Sequence, residues 1–170
     1  MILNKQEIGI FGSAFNPLTK AHQYIIEQAK EQVQQLWLIP SSTPPHKNIS
    51  SSFEQRYNIL CDVYQNDISN KKIKILDIDK QLLDQGKIAS TYNMLLELGP
   101  FKTKPLFFVG EDNKDLNNFT HKSEILNIAE VVQVGLPIEL NQIRSTLARQ
   151  ILNNKTQALH YISEEVLKHY

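Results

Sequence analysis

The chain has 170 residues, of which 18 are lysine or arginine and 18 are aspartate or glutamate, so its formal net charge is zero. This balance argues against a protein that coats nucleic acid, and it provides no basic tail for a membrane surface. We therefore expect neither nucleic acid nor a membrane as a partner. Cys61 is the one cysteine in the sequence, so no internal disulfide can form, and a reduced, cytoplasmic protein is the simplest interpretation.

The length suits one domain with a sizeable core, which we expect to span residues 1–170. Residues 1–7 lead straight into the first predicted strand, so we expect no signal peptide, and no apolar run approaches the length of a membrane span. The sequence leaves the oligomeric state open, and a homo-oligomer is compatible with it.

Short apolar runs alternate with helical patterns along the chain. Most of these runs are continuously apolar, which is typical of strands buried on both faces of a parallel sheet. Strand–helix–strand repetition implies right-handed crossovers, so we predict an α/β fold with a doubly wound, mostly parallel five-stranded sheet. The predicted strands cover residues 8–11, 36–39, 73–78, 106–109 and 131–134, and the predicted helices cover about 20–34, 53–65, 89–98, 122–127, 145–152 and 164–169.

The first informative string follows the first predicted strand and reads Gly-Ile-Phe-Gly-Ser-Ala-Phe-Asn-Pro-Leu-Thr-Lys-Ala-His, from Gly9 to His22. A glycine-bearing turn before a helix is a ready anion site, because unpaired N–H groups and the helix dipole face it. Thr19 and His22 stand three apart and share a helix face, so a hydroxyl and an imidazole would border a site that suits a polyphosphate. For the glycines alone, an ordinary turn at Gly12 beside a solvated histidine is the favoured interpretation.

The second string, Pro-Ser-Ser-Thr-Pro-Pro-His-Lys, follows the second predicted strand and ends at Lys47. Its prolines would stiffen a loop that presents His46 and Lys47, and such a loop at the carboxyl end of a parallel strand borders the ligand crevice. The two donors could reach a phosphate or a carboxylate. An incidental basic pair on a surface loop is an equally good interpretation.

In the next predicted strand, residues 73–78, we expect Asp77 and Asp79 to alternate and to share one face at its end.

Near the C-terminus, the third string reads Ile-Arg-Ser-Thr-Leu-Ala-Arg and ends at Arg149. Ser145 or Thr146 can cap the helix that starts here, and Arg149 would add charge to an anion pocket. An ordinary capped amphipathic helix fits the same residues.

Together the strings resemble the nucleotidyltransferase superfamily, whose first motif reads Gly-x-Phe-x-Pro-x-(His/Thr)-x-Gly-His. Phe15, Pro17, Thr19 and His22 match at the same spacing, while Ala21 stands where the family usually has glycine. The Pro-Pro-His-Lys loop resembles the branch that adenylylates nicotinate or nicotinamide mononucleotide, and an arginine at position 56 matches an arginine of that branch.

The third string resembles the family's Ile-Ser-Ser-Thr-x-Ile-Arg, which in the family grips the ATP polyphosphate. Ser145, Thr146 and Arg149 match it, whereas Arg144 replaces a serine. Farther along, Lys155 replaces the usual glycine.

Two shorter resemblances complete the pattern. Gly110 and Asp112 match the family's Gly-x-Asp, although a strand-terminating turn explains them as well. Thr91 aligns with a threonine that lies near the pyridine ring in the family. Phe119 stands where that branch usually places a tryptophan that stacks on the ring, and it could equally be a core residue.

The resemblance implies transfer of an adenylyl group from ATP to nicotinate or nicotinamide mononucleotide, with release of pyrophosphate and with Mg²⁺ held mainly by the ATP phosphates. ATP and a pyridine mononucleotide are therefore the expected partners, and no residue is assigned as a metal ligand. Implied as catalytic are His22, Thr19, Lys47 and Arg149; as ATP-binding, Gly12, Ser13, Phe15, Gly110, Asp112, Ser145 and Thr146; and as mononucleotide-binding, Asn16, His46, Arg56, Thr91 and Phe119.

The sequence leaves two alternatives open. The acceptor could be another molecule, such as pantetheine phosphate, although the Pro-Pro-His-Lys loop argues against it. The chain could also be a nucleotide-binding relative without activity, because Ala21 adds a methyl group where the backbone would approach phosphate. We expect the nicotinate form of the acceptor to be preferred over the amide.

Overall fold

The structure is a computed structural model that describes residues 5–42, 50–113 and 115–170. Strands and helices alternate through these ranges. The strands are β1 (Gln6–Ser13), β2 (Val33–Pro40), β3 (Ile73–Ile75), β4 (Leu106–Val109) and β5 (Glu130–Gln133). The helices are α1 (Lys20–Gln32), α2 (Phe53–Val63), α3 (Gln65–Ser69), α4 (Ile78–Asp84), α5 (Thr91–Leu98), α6 (Lys122–Ile128), α7 (Ser145–Gln150), α8 (Lys155–Ala158) and α9 (Glu164–Leu167), with one 3₁₀ turn at Glu111–Asn113.

The five strands form one sheet in the order β3-β2-β1-β4-β5, and all four neighbouring pairs are parallel. The predicted α/β class and the five-stranded doubly wound sheet are confirmed. The strand order reverses between β1 and β4, which lie side by side in the centre. In open parallel sheets, ligands bind at the carboxyl ends of the strands beside such a reversal, so the ends of β1 and β4 are where a site is expected.

Each face of the sheet is covered by a separate hydrophobic cluster. On one face, α1 and α2 pack through residues such as Ile26 and Leu60, together with the C-terminal helices. On the other, α4, α5 and α6 pack through residues such as Leu82, Leu95 and Ile125. Burial on both faces explains why the strands read as continuous apolar runs.

The predicted strand over residues 73–78 is too long. β3 ends at Ile75, the Leu76 N–H still bonds to the Leu38 carbonyl, and α4 begins at Ile78. The expectation that Asp77 and Asp79 alternate along a strand is therefore wrong, because they lie at the start of a helix. The helix forms because Ile78 and Leu82, four residues apart, are both buried on one helical face.

The first helix is also shorter than predicted, because Val33 ends α1 and begins β2 directly, without a loop. Val33 is fully buried and has an extended backbone, which its β-branched side chain favours over a helical one. Among the described residues, no helix has both the length and the apolar character that crossing a membrane requires.

Candidate functional site

The turn that joins β1 to α1 is built around His22. Thr19 is the N-cap of α1, and its side-chain oxygen accepts a hydrogen bond of 3.4 Å from the His22 backbone N–H. In return, the His22 ring accepts from the Thr19 backbone N–H, with 3.1 Å between the nitrogen and Nδ1. This reciprocal capping box satisfies two N–H groups that a helix start leaves unpaired, and it fixes the imidazole at the mouth of the turn.

These bonds determine which ring nitrogen of His22 carries the proton. The Thr19 backbone N–H can only donate, so Nδ1 must be the acceptor, and the neutral ring then carries its proton on Nε2. Nε2 lies 3.1 Å from the hydroxyl oxygen of Ser13 at the end of β1. The Nε2–H group of His22 is therefore a hydrogen-bond donor at the carboxyl end of the central strand β1.

Two adjacent cavities open at this edge of the sheet. The larger has a volume of about 510 Å³ and the smaller about 250 Å³. Gly12, Ser13 and Ala14 line both cavities, so the end of β1 and the turn that follows it form the wall between them. Phe107, Asn113 and Phe119 are shared as well. Two molecules bound in these cavities would meet at the shared wall around Ser13, and His22 borders the larger cavity beside it.

The larger cavity is bordered by α1 and by the start of α7. Arg149 on α7 donates to the Asn16 carbonyl at 2.6 Å and to the Thr146 hydroxyl at 3.2 Å, and the Ser145 hydroxyl donates to the Pro17 carbonyl at 3.3 Å. These bonds tie the third string to the first across more than 100 residues of chain. Predicted site residues that line this cavity are Gly12, Ser13, Thr19, His22, Gly110, Phe119, Ser145, Thr146 and Arg149.

The described lining residues of the larger cavity include two arginines and one carboxylate. Arg144 and Arg149 supply the positive charges, and Glu111 supplies the negative one. Together with the His22 N–H, this composition suits an anionic ligand such as a polyphosphate, since guanidinium groups bind phosphate oxygens well.

The smaller cavity lies between β2 and the start of α5. Ser90 caps α5 by accepting from the Asn93 N–H at 3.2 Å, which places Thr91 at the cavity wall. Phe119 lies opposite, partly buried, with its ring edge-on to Phe107 at a centroid distance of 6.0 Å. The cavity therefore presents a hydroxyl and an aromatic ring, a combination that suits a flat polar ring.

Asp79 also lines the smaller cavity, and it is a residue that the sequence analysis did not assign to the site. Burial raises the pKa of its carboxyl group to about 6, and a hydrogen bond from the Ser42 backbone opposes that shift. Its position on the first turn of α4 was hidden by the wrong strand prediction. A helical interpretation of Ile78 and Leu82 would have placed Asp79 at a helix start beside the crevice.

Three predicted site residues do not line either cavity. Phe15 is buried, has a φ of 47°, and packs edge-on against His22 at 5.2 Å between ring centroids, so it supports the histidine from behind. Asn16 is buried and offers its backbone carbonyl to Arg149. Arg56 is buried too, and it donates to backbone carbonyls.

Two other predicted site residues lie outside the described residues, and a third is described only in its backbone. His46 and Lys47 belong to residues 43–49, and for Asp112 the structure describes the backbone, within the 3₁₀ turn, but not the side chain. Conversely, several lining residues were not predicted as site residues, because helix faces, strand ends and connecting segments bring them to the cavities. They include Ile25, Ser41, Ala89, Met94, Glu111, Asn113, Leu136 and Asn141.

Comparison with known proteins places the chain in a family. A family model described as cytidylyltransferase-like matches residues 10–151. A protein of Pseudothermotoga lettingae named "probable nicotinate-nucleotide adenylyltransferase" is 36% identical over 121 residues, which cover 69% of this chain and 58% of that protein. A Streptococcus pyogenes protein of the same name is 23% identical over 96% of this chain and 85% of its own length. The chain spans 50–58% of the length of the first four curated relatives it matches.

The solved structures agree on the fold. The nicotinic acid mononucleotide adenylyltransferase of Plasmodium falciparum, solved in complex with NaAD, superimposes with a TM-score of 0.71 at 20% identity, covering 96% of this chain and 94% of that one. The family model spans most of the chain and includes the third string and all of the first except Gly9; side chains of both strings line the larger cavity. The chain belongs to the cytidylyltransferase-like family, which confirms the resemblance to nucleotidyltransferases that its motifs carry.

Proposed function

We propose that the protein transfers the adenylyl group of ATP to nicotinate mononucleotide, giving the dinucleotide and pyrophosphate as a step of NAD biosynthesis. The pair of adjacent cavities with a common wall at Gly12, Ser13 and Ala14 carries this proposal. A reaction that joins two nucleotides needs both held side by side with the reacting phosphates in contact. The larger cavity suits the triphosphate, and the smaller suits the pyridine mononucleotide. The names of the relatives support the same reaction.

The proposed chemistry is a direct displacement at the α-phosphorus of ATP. An oxygen of the mononucleotide phosphate forms the new bond, and the bond from the α-phosphorus to the β-bridging oxygen breaks, so that pyrophosphate leaves with its electron pair. A phosphate is already a nucleophile at neutral pH, so no general base is required. Rate enhancement then comes from positioning and from stabilising the charge that develops on the phosphate oxygens.

His22 is proposed to stabilise that charge as a neutral donor through Nε2–H. The capping box holds its ring, so the donor is oriented before substrate binds. Thr19 would act by orienting the ring, since its hydroxyl oxygen lies 3.0 Å from Nδ1. Arg149 would place positive charge beside the leaving pyrophosphate, and Lys47 keeps the role that the sequence resemblance implies.

Mg²⁺ is proposed to enter with ATP as the MgATP substrate. Within the described ranges, no group of three or more histidine, cysteine, aspartate or glutamate side chains is arranged to hold a metal ion. The ion neutralises phosphate charge when it is bound, and phosphate oxygens with water supply the octahedral oxygen ligands that it prefers.

The test is an assay of pyrophosphate release by the purified protein with MgATP and one acceptor at a time. The acceptors are nicotinate mononucleotide, nicotinamide mononucleotide and pantetheine phosphate, with the His22→Ala variant as the control for contaminating activity. We expect release with the pyridine mononucleotides only. Release with pantetheine phosphate alone would replace the proposed acceptor, and binding of ATP without release from any mixture would indicate a nucleotide-binding protein without transferase activity.

A further inference from the structure

Arg56 on α2 is a fully buried arginine whose side chain donates hydrogen bonds to backbone carbonyls. Its side chain is among the largest that are fully buried, with 1% of the residue exposed. Nη1 donates to the carbonyls of Ala14 at 2.6 Å and Ser41 at 2.8 Å. Nη2 donates to Ser42 at 3.1 Å, and Nε donates to Ser51 at 3.3 Å. Burying a guanidinium is costly unless its donors are satisfied, and these carbonyls accept from four of its five N–H groups.

The four carbonyls belong to three separate pieces of chain. Ala14 lies in the turn after β1, Ser41 and Ser42 follow β2, and Ser51 precedes α2. Ser41 is also bonded to the first piece directly, since its N–H donates to the Ser13 carbonyl at 2.9 Å. Arg56 therefore joins the turn that divides the two cavities to the segments on both sides of residues 43–49.

Two of the four bonded residues line the smaller cavity. Ser41 lines the smaller cavity and not the larger one, whereas Ala14 lines both. Arg56 itself lines neither cavity, so it does not reach a substrate from its described position. The Phe53 ring lies over the guanidinium, with 5.7 Å between the central carbon of the guanidinium and the ring centroid. Burial lowers the pKa of Arg56. None of the four hydrogen bonds described above goes to a carboxylate.

We propose that Arg56 is a positioning residue for the acceptor: it fixes the wall of the smaller cavity through the carbonyls of Ala14, Ser41 and Ser42, without contacting the mononucleotide. This inference rests on the proposed function for the identity of the acceptor. It differs from the direct mononucleotide contact that the sequence resemblance implied. Lysine cannot replace the arginine fully, because one ammonium group cannot reproduce the planar fork that reaches four carbonyls.

The test compares Arg56→Lys and Arg56→Met with Leu60→Ala. Leu60 lies on the same helix and is fully buried in the core, so its truncation is a control for general destabilisation of α2. Steady-state constants for both substrates are measured well below the melting temperature of each variant. We expect both Arg56 variants to lower kcat/KM for nicotinate mononucleotide about tenfold or more, with the KM for ATP changed less than about threefold, as misplacement of one substrate predicts. Leu60→Ala should leave the ratio of the two KM values unchanged.

Amide hydrogen exchange gives a readout that does not depend on activity. We expect the Ser41 amide to exchange about tenfold faster or more in Arg56→Lys than in the wild type, while amides of residues 8–10 in β1 keep their rates. An unchanged kcat/KM for nicotinate mononucleotide, an equal rise in both KM values, or unchanged Ser41 exchange would overturn the positioning role. If the wild type turns over no pyridine mononucleotide, the proposed function fails, and Ser41 exchange alone then decides whether Arg56 holds this wall.

Discussion

At the scale of single residues, His22 links the stability of a helix start to the chemistry of the site. Its Nδ1 side completes the capping box with Thr19, and its Nε2 side points to Ser13 at the wall between the cavities. The two ring nitrogens therefore have separate roles: Nδ1 caps the helix, and Nε2 faces the candidate site. A substitution that preserves one role and removes the other can distinguish them.

Asparagine and alanine at position 22 separate capping from catalysis. Asparagine can accept the Thr19 N–H bond in place of Nδ1 but places no donor where Nε2 lies. We expect His22→Asn and His22→Ala both to lower kcat by about a hundredfold or more, the usual effect of losing one preorganised donor. His22→Asn should unfold closer to the wild-type temperature than His22→Ala, because the cap is kept. A His22→Asn enzyme with wild-type kcat would contradict the donor role of Nε2.

Asp79 makes the stability of the fold depend on pH. Its pKa is raised from 3.8 to about 6 in the folded protein, so the protonated form is favoured by folding. That contribution is fully present below pH 3.8 and is lost as the pH rises through about 6. Asp79→Asn should remove this dependence, so its free energy of unfolding relative to wild type should rise between pH 4 and pH 7, by at most about 3 kcal/mol. Chemical denaturation across this pH range measures it, and a constant difference between the two proteins would contradict it.

At the scale of elements, the two glycines of β1, Gly9 and Gly12, have different structural roles. A Cβ on Gly9 would lie 2.8 Å from Cε2 of Phe108 and 2.9 Å from Cγ1 of Val33, both of which are buried. A Cβ on Gly12 would meet only the Ile39 carbonyl at 3.7 Å, an ordinary contact. Gly9 is therefore required by strand packing, whereas Gly12 belongs to the cavity walls.

Alanine at each position tests this difference within one strand. We expect Gly9→Ala to lower the free energy of unfolding by about 1–3 kcal/mol, the usual cost of overpacking a core. Gly12→Ala should unfold like the wild type but raise the KM for ATP, because the new methyl group stands at a residue that lines both cavities. Thermal unfolding and substrate titration of the pair provide the measurement. Equal stability of the two variants would contradict the distinction.

The elements also show what a sequence can reveal and where it stops. Runs such as Leu106–Val109 were predictable because burial on both faces leaves them continuously apolar. α4 was missed because the isoleucines of β3 lead without a turn signal into Ile78, and only the position of Leu82 indicates a helix. The error mattered, because it removed Asp79 from the candidate site.

At the scale of the whole molecule, the motifs indicated the candidate site but could not describe its walls. The first and third strings were expected to act together, and Arg149 does bond to the Asn16 carbonyl. Arg56 matched a family arginine at the predicted position in sequence, yet its bonds go to four backbone carbonyls, which no motif encodes. Cavity walls formed by Ser41 or Asn113 depend on where strands end in three dimensions, and a single sequence does not carry that information.

The sharpest test of the whole account is a competition between the two pyridine acceptors. Purified protein is incubated with MgATP and equimolar nicotinate and nicotinamide mononucleotides, and the two dinucleotides are quantified by mass spectrometry at low conversion. The product ratio equals the ratio of kcat/KM values. We expect both pyrophosphate and dinucleotide to form, with the acid dinucleotide in excess. Excess of the amide dinucleotide would contradict the proposed acceptor, and absence of both dinucleotides would contradict adenylyl transfer at the paired cavities.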